Sequence, residues 1–173
     1  VGANLREDIA IGAAGKITSA FNIARTLALG ADWCNAARGY MFALGCIQAL
    51  NCHTGRCPSG VATQDPRRGN KLDVPLKSER VYNFHNNTLD ALQNLLEASG
   101  LKHPSELGPE HIVRRVSKTE VHSYLDLFPF LEPGALLEGK TGLTVFDKYW
   151  DDARPDTFEP PEFILKLRET KLR

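Results

Sequence analysis

Three cysteines stand in the pattern Cys46-x5-Cys52-x4-Cys57, followed directly by Pro58. Three thiolates within twelve residues converge on one centre if the backbone between them folds into a loop. Thiolate ligands suit zinc or an iron–sulfur cluster. The spacing is not the C-x2-C of zinc ribbons, and it is not the ferredoxin C-x2-C-x2-C run. The competing reading is a set of buried or surface thiols that holds no metal. Three donors rather than four match a three-iron cluster, which needs no fourth thiolate. His53 lies inside the loop. It reads as a fourth ligand, a solvated loop residue or a hydrogen-bond donor to the centre. Cys34, twelve residues before Cys46, reads as a small buried hydrophobe.

A second group of residues suits an anion. Gly12, Gly15 and Lys16 fall at the end of one strand-like run, and Arg38 and Gly39 at the end of another. In parallel α/β folds, ligands bind at the carboxyl ends of strands. Glycine lets the backbone approach a phosphate, a helix start supplies N–H groups, and Lys16 and Arg38 supply charge. A glycine turn flanked by two solvated cations is the plainer alternative.

The elements that must position these residues follow from the pattern. Residues 9–14 (IAIGAA) are short and apolar and read as a buried strand. Thr18 or Ser19 can cap a helix in which Ala20, Ile23, Ala24, Leu27 and Ala28 recur at helical spacing. Gly30 suits its stop. Residues 32–37 (DWCNAA) read as a second buried strand, which makes a βαβ unit with parallel strands. Residues 39–50 (GYMFALGCIQAL) read as an apolar helical segment leading into the cysteine loop.

Beyond about residue 63 the composition changes. DPRRGNKLDVP (65–75) reads as a surface connection. Residues 78–99 carry the longest helical stripe, with Val81, Phe84, Thr88, Leu89, Leu92, Leu95 and Leu96, and Gly100 ends it. Pro104 and Pro109 mark starts of short helices. EHIVRRVSKTEVHSYLDLF (110–128) has mixed, weaker helical character. Residues 151–161 (DDARPDTFEPP) read as an extended acidic segment, and EFILKLRETKLR (162–173) as an amphipathic docking helix. His85, His103, His111 and His122 show no ligand spacing and read as surface or satisfied histidines, and Arg67-Arg68 and Arg114-Arg115 as solvated faces.

Composition narrows the class. The 173 residues are 42% apolar and 24% charged, which suits one ordinary globular domain rather than a disordered or coiled-coil chain. Lys plus Arg and Asp plus Glu are both 21, so the balanced charge gives no reason to expect nucleic acid or an anionic membrane as partner. No apolar run spans a bilayer and no signal peptide is visible, which points to the cytoplasm. All four cysteines lie between positions 34 and 57, unlike the spread bridges of a secreted disulfide scaffold. Two strands do not make a stable sheet alone, and Val1 opens almost directly on a strand-like run. The N-terminal part of a larger protein is therefore expected upstream.

The segment GKITSAFNIARTLALGADWCNAARGYMFALGCIQALNCHTGRCPSGVATQDP (15–66) resembles the FMN-binding domain of glutamate synthases. The cysteine loop and the following CPSGVATQDP look like that family's three-iron, four-sulfur cluster loop, down to Pro58, Gly60, Val61, Ala62, Thr63 and Gln64. The stretch from Arg80 to Arg115 looks like the C-terminal extension of the shorter, stand-alone members.

The resemblance implies an α/β fold in which residues 1–65 supply the last two β/α units of a (β/α)8 TIM-type barrel, and residues 66–173 a mostly helical extension. It implies FMN at the barrel mouth, with Gly15, Lys16, Ala37 and Arg38 at the flavin phosphate. Cys46, Cys52 and Cys57 match the ligands of a 3Fe-4S cluster, while Cys34 matches none. The implied oxidoreductase takes electrons from a donor protein or reductase subunit, through the cluster, to FMN. It then reduces 2-iminoglutarate, formed from 2-oxoglutarate and ammonia, to glutamate, or performs a related reduction. The chain shows no amidotransferase domain, so ammonia release from glutamine is not expected of it. Without the other barrel units, this chain alone is not expected to retain FMN. A different class remains open at this point: a non-catalytic interaction module whose cysteines bind structural zinc.

Overall fold

The structure, a computed structural model, describes residues 1–162 and 164–166. Contacts divide the chain into two compact units, one made of Val1–Ile9 with Pro129–Arg173, the other of Ala10–Phe128. The second unit carries all the candidate ligand and anion-binding residues named above.

That unit opens with strand β1 (Gly12–Ala14), helix α1 (Ala20–Ala28) and strand β2 (Trp33–Asn35). β1 and β2 pair in parallel, with Gly12 opposite Trp33, Ala13 opposite Cys34 and Ala14 opposite Asn35. The expected βαβ unit forms, but its strands are shorter than the apolar runs that suggested them. Among the described residues no third strand joins this ladder. Gly12 is needed at its place: a β-carbon there would run into the Trp33 indole. Ser19 caps α1 by accepting from the Asn22 amide at 3.3 Å, and Asn22 Oδ1 accepts in return from the Thr18 and Ser19 hydroxyls, both at 3.1 Å.

Helix α2 spans Arg38–Leu44, and the expected helix over 39–50 ends six residues early. Gly45 takes φ 105°, its amide bonds the Phe42 carbonyl at 2.9 Å, and the Cys46 amide bonds Met41 at 2.9 Å. This left-handed glycine closure satisfies the last carbonyls and turns the chain into the cysteine loop. A short helix α3 (Pro66–Gly69) lies inside the segment expected to be a plain connection. Asp65 caps it, accepting from the Arg67 amide at 3.0 Å. Helix α4 runs from Val74 to Ala98, four residues longer at its start than the apolar stripe suggested. Asp73 caps it through the Leu76 amide at 3.0 Å, and Pro75 in the first turn needs no amide partner.

The core sits between α1 and α4. Ala20 and Ala24 pack on Leu92 and Leu96, with Ile23, Leu95, Leu101 and Leu107 around them. The alanines leave a smooth helix face, so the two backbones approach closely and the leucines fill the seam. Ala28 joins a second cluster with Ile112 and Tyr124.

Residues 110–128 correct the helical expectation. Strands β3 (Val113–Arg115) and β4 (Val121–Ser123) form an antiparallel hairpin, followed by the one-turn helix α5 (Tyr124–Leu127). Valines at 113, 116 and 121 favour extended backbone. The Ser117 hydroxyl accepts from the amides of Thr119 and Glu120 at 3.3 and 3.1 Å and shapes the turn. This hairpin departs from the mostly helical extension expected over residues 66–173.

In the other unit, helices α6 (Ala135–Glu138) and α7 (Thr144–Asp151) accompany the N-terminal residues. The Leu136 amide bonds the Gly2 carbonyl at 2.9 Å, and Gly2 is backed by Leu131 and Leu136. Residues 152–161 form no helix or strand, as their proline content suggests. The docking helix read over 162–173 lies mostly outside the described residues. Among the described residues no helix is long and apolar enough to cross a membrane. The class observed is mixed α/β with two small sheets.

Candidate functional site

The cysteine loop leaves α2 through Gly45 and returns to α3 through Asp65. Its shape depends on left-handed backbone, at Gln48 (φ 56°), Leu50 (φ 57°), Gly55 (φ 69°) and Gly60 (φ 79°). The two glycines adopt it freely; Gln48 and Leu50 do so at a cost of about 1–2 kcal/mol each. Such strain persists only where the surroundings impose it, and it gathers at functional sites. Leu50 is 80% exposed and Ile47 67% exposed, so no apolar burial explains the shape.

Cys46, Cys52 and Cys57 line one small cavity, together with Ile47, Ala49, Leu50, Asn51, Pro58 and Ser59. The loop therefore brings the three sequence-predicted thiols to a common space. Cys57 is buried, Cys46 is half-buried and Cys52 is exposed on a 3₁₀ turn over Cys52–Thr54. His53 lies on the same turn, is exposed, and does not line that cavity. Among the described residues no three His, Cys, Asp or Glu side chains are grouped closely enough to hold a single metal ion.

Cys57 sits in a nest of donors. The Ser59 hydroxyl lies 3.4 Å from its sulfur. This contact, with the amides of Ala62, Ser59 and Val61, lowers the thiol to about 7 from its usual 9, against the opposing effect of burial. A sulfur held by several backbone N–H groups is prepared to carry negative charge. The segment after Cys57 is what supplies these donors, and the sequence reading did not single out Ser59 for it.

The loop is fastened from outside. The Thr63 hydroxyl donates to the Gly55 carbonyl at 2.5 Å and accepts from the Asp65 amide at 3.1 Å. Arg68 reaches the Arg56 carbonyl at 3.4 Å through Nη1 and pairs with Asp65 at 3.6 Å through Nε. Gly60 lies so close to the Arg68 carbonyl that any β-carbon would collide with it. The sequence signal for this fastening was the Asp65-Pro66 pair, a helix start placed directly after the loop.

The anion-type residues lie elsewhere in the same unit. Gly15 (φ 114°) and Lys16 (φ 56°) form the left-handed turn that leaves β1, and both are exposed. Ala37 precedes α2 and Arg38 is its first residue; both are exposed too. Because Ala14 pairs with Asn35, Lys16 and Ala37 each stand two residues past the last rung of the ladder. The parallel register thus brings Gly15–Lys16 and Ala37–Arg38 to the same, carboxyl end of the sheet.

Cys34 does not join the cysteine loop. It faces Thr26 of α1, and burial pushes its thiol up, with the Thr26 hydroxyl opposing. It lines a different cavity of about 280 Å³, whose walls include Ile23, Leu27, Phe84 and Leu92. There the Tyr40 hydroxyl is hydrogen-bonded to His85 Nδ1, a pairing the sequence spacing did not reveal because it joins α2 to α4.

The sequence is similar to known proteins. Residues 1–102 match the family signature described as the conserved region in glutamate synthase. The chain is 47% identical over 111 residues to the glutamate synthase large subunit-like protein YerD of Bacillus subtilis, covering 64% of this chain and 21% of that protein. It is 36% identical over 97 residues to the archaeal glutamate synthase (NADPH) of Methanocaldococcus jannaschii, covering 56% of this chain and 19% of the relative. It is 31% identical over 141 residues to the glutamate synthase (NADH) of Schizosaccharomyces pombe, covering 78% of this chain and 6% of the relative. The chain thus spans about a fifth, or less, of the curated relatives it matches. No solved structure matches it.

Proposed function

The chain belongs to the glutamate synthase family, and from that premise we propose that it carries the cluster-binding loop and two strand–helix units of a flavin and iron–sulfur oxidoreductase. The reaction proposed is the reduction that forms glutamate from 2-oxoglutarate and ammonia, or a closely related one. The remaining units of a (β/α)8 barrel would come from residues beyond this chain. A small 2-oxo acid is the proposed substrate class, and an electron-donor protein or reductase subunit the proposed partner.

The observation that carries this reading is the common cavity of Cys46, Cys52 and Cys57, with the donor nest around Cys57. Structural zinc asks for four donors around one point. A three-iron, four-sulfur cluster instead spreads three thiolates over three irons. Three soft donors around one cavity suit the cluster better. The amides of Ser59, Val61 and Ala62 would keep the Cys57 sulfur in its thiolate form and temper its charge.

Gly15, Lys16, Ala37 and Arg38 would hold the phosphate of FMN at the carboxyl end of β1 and β2. Gly15 keeps its side of the turn free of a β-carbon; Lys16 and Arg38 bring two positive charges to that end. When bound, a cluster and a flavin together supply one-electron relay and hydride transfer, chemistry that no side chain here can perform.

Anaerobic reconstitution of the chain with iron and sulfide tests the reading. A brown protein with the EPR signal of an oxidised three-iron cluster is expected. Cys46→Ser, Cys52→Ser and Cys57→Ser should each lose it. A colourless, EPR-silent protein that takes up one zinc, or a cluster indifferent to all three substitutions, would overturn it.

A further inference from the structure

We propose that Thr63 is the positioning residue of the cysteine loop: its hydroxyl clamps the Cys52–Cys57 segment onto the helix start at Asp65. The proposal rests on the cluster reading above. Gly55 lies between Cys52 and Cys57, and its carbonyl receives the Thr63 hydroxyl at 2.5 Å. The Thr63 hydroxyl oxygen in turn accepts from the Asp65 amide at 3.1 Å. One side chain thus joins the middle of the ligand-bearing segment to the residue that caps α3.

Asp65 is itself fixed. Its carboxylate accepts the Arg67 amide at 3.0 Å and pairs with the Arg67 and Arg68 guanidinium groups at 3.5 and 3.6 Å. Within the loop, the Thr54 hydroxyl donates to the Asn51 carbonyl at 2.8 Å and accepts from the Arg56 amide at 3.2 Å. These local bonds shape the turn but do not anchor it to anything outside. The anchors are Thr63 and, at the longer distance of 3.4 Å, the contact of Arg68 with Arg56. Thr63 is half-buried, so its bonds face less competition from water than the exposed ones around it. Thr63 does not line the cavity of the three thiols; it acts through the backbone that presents them.

The test compares Thr63→Val, which keeps the shape and removes the hydroxyl, with Thr63→Ser, which keeps the hydroxyl. Each full chain is reconstituted anaerobically, and the loss of cluster iron to a chelator is timed. Loss of a hydrogen-bonded clamp should speed release about tenfold in the valine variant and leave the serine variant near wild type. In the metal-free chain, the Asp65 amide should exchange with solvent about tenfold faster in Thr63→Val, with unchanged helix content by circular dichroism. Equal iron release and equal exchange in valine and wild type would overturn the proposal, as would a serine variant as impaired as valine. If wild type takes up no cluster, the functional reading fails instead, and the Asp65 exchange alone decides whether Thr63 clamps the loop.

Discussion

The α-carbon of Gly39 in α2 faces the ring of Phe84 in α4: a methyl group at Gly39 would lie 2.8 Å from Cζ and 3.2 Å from Cε1 of that ring. Tyr40 adds an edge-to-face contact with the same ring, at 5.2 Å between centroids. This close approach sets the position of α2, and with it both Arg38 at its start and Cys46 beyond its end.

Gly39→Ala should therefore destabilise the chain although alanine is the better helix former. Overpacking costs about 1–3 kcal/mol and the propensity gain returns about 1. Chemical denaturation should show a net loss. Phe84→Leu in the same chain should recover part of it, and purely additive effects would argue against the contact.

Leu92 is buried in the seam between α1 and α4, whereas Leu89, one turn earlier, is 46% exposed. Leu92→Ala should cost about 3 kcal/mol by denaturant titration, and Leu89→Ala well under half of that. Similar losses at both positions would place the seam elsewhere on α4.

Leu50 holds left-handed backbone with its side chain in solvent. Leu50→Gly should leave stability unchanged or raise it by up to about 1 kcal/mol, while Leu50→Val should lower it by a similar amount. Thermal unfolding of the metal-free variants is the measurement. A stabilising valine would contradict the loop conformation.

Cys57 and Cys34 should titrate on opposite sides of the ordinary thiol value. In a Cys46→Ser, Cys52→Ser variant, the ultraviolet absorbance of thiolate should rise in two steps. The first lies at about 7, for Cys57, and the second above 9, for Cys34. The sign for stability follows from the first step. The folded state holds the Cys57 thiolate more strongly than the unfolded chain does, so its contribution is complete above pH 9 and fades as pH falls through about 7. Replacing Ser59 by Ala should move the first step upward, because the hydroxyl contributes most to the lowering. A single step near 9 would show that the donor nest is not formed in solution.

The sequence by itself determined the βαβ unit, the α1 and α4 stripes and the cysteine spacing. Each is local: an alternation, a helical period or a count of residues, with a cap such as Ser19 or Asp73 to mark the start. It also carried the family, because the run from Cys57 through Gln64 is a contiguous pattern. Where local signals competed, reading along the chain fell short. The apolar character of residues 39–50 masked the Gly45 stop, and the charges around Val113 and Val121 masked a hairpin whose pairing partners lie six to ten residues apart. Tertiary structure alone decided that the Thr63 hydroxyl meets Gly55, that Tyr40 meets His85, and that Cys34 turns toward a different cavity from the other three thiols. Those are hydrogen bonds and packing contacts between segments distant along the chain or folded back on themselves. Their formation depends on backbone path and close approach, which no residue spacing encodes.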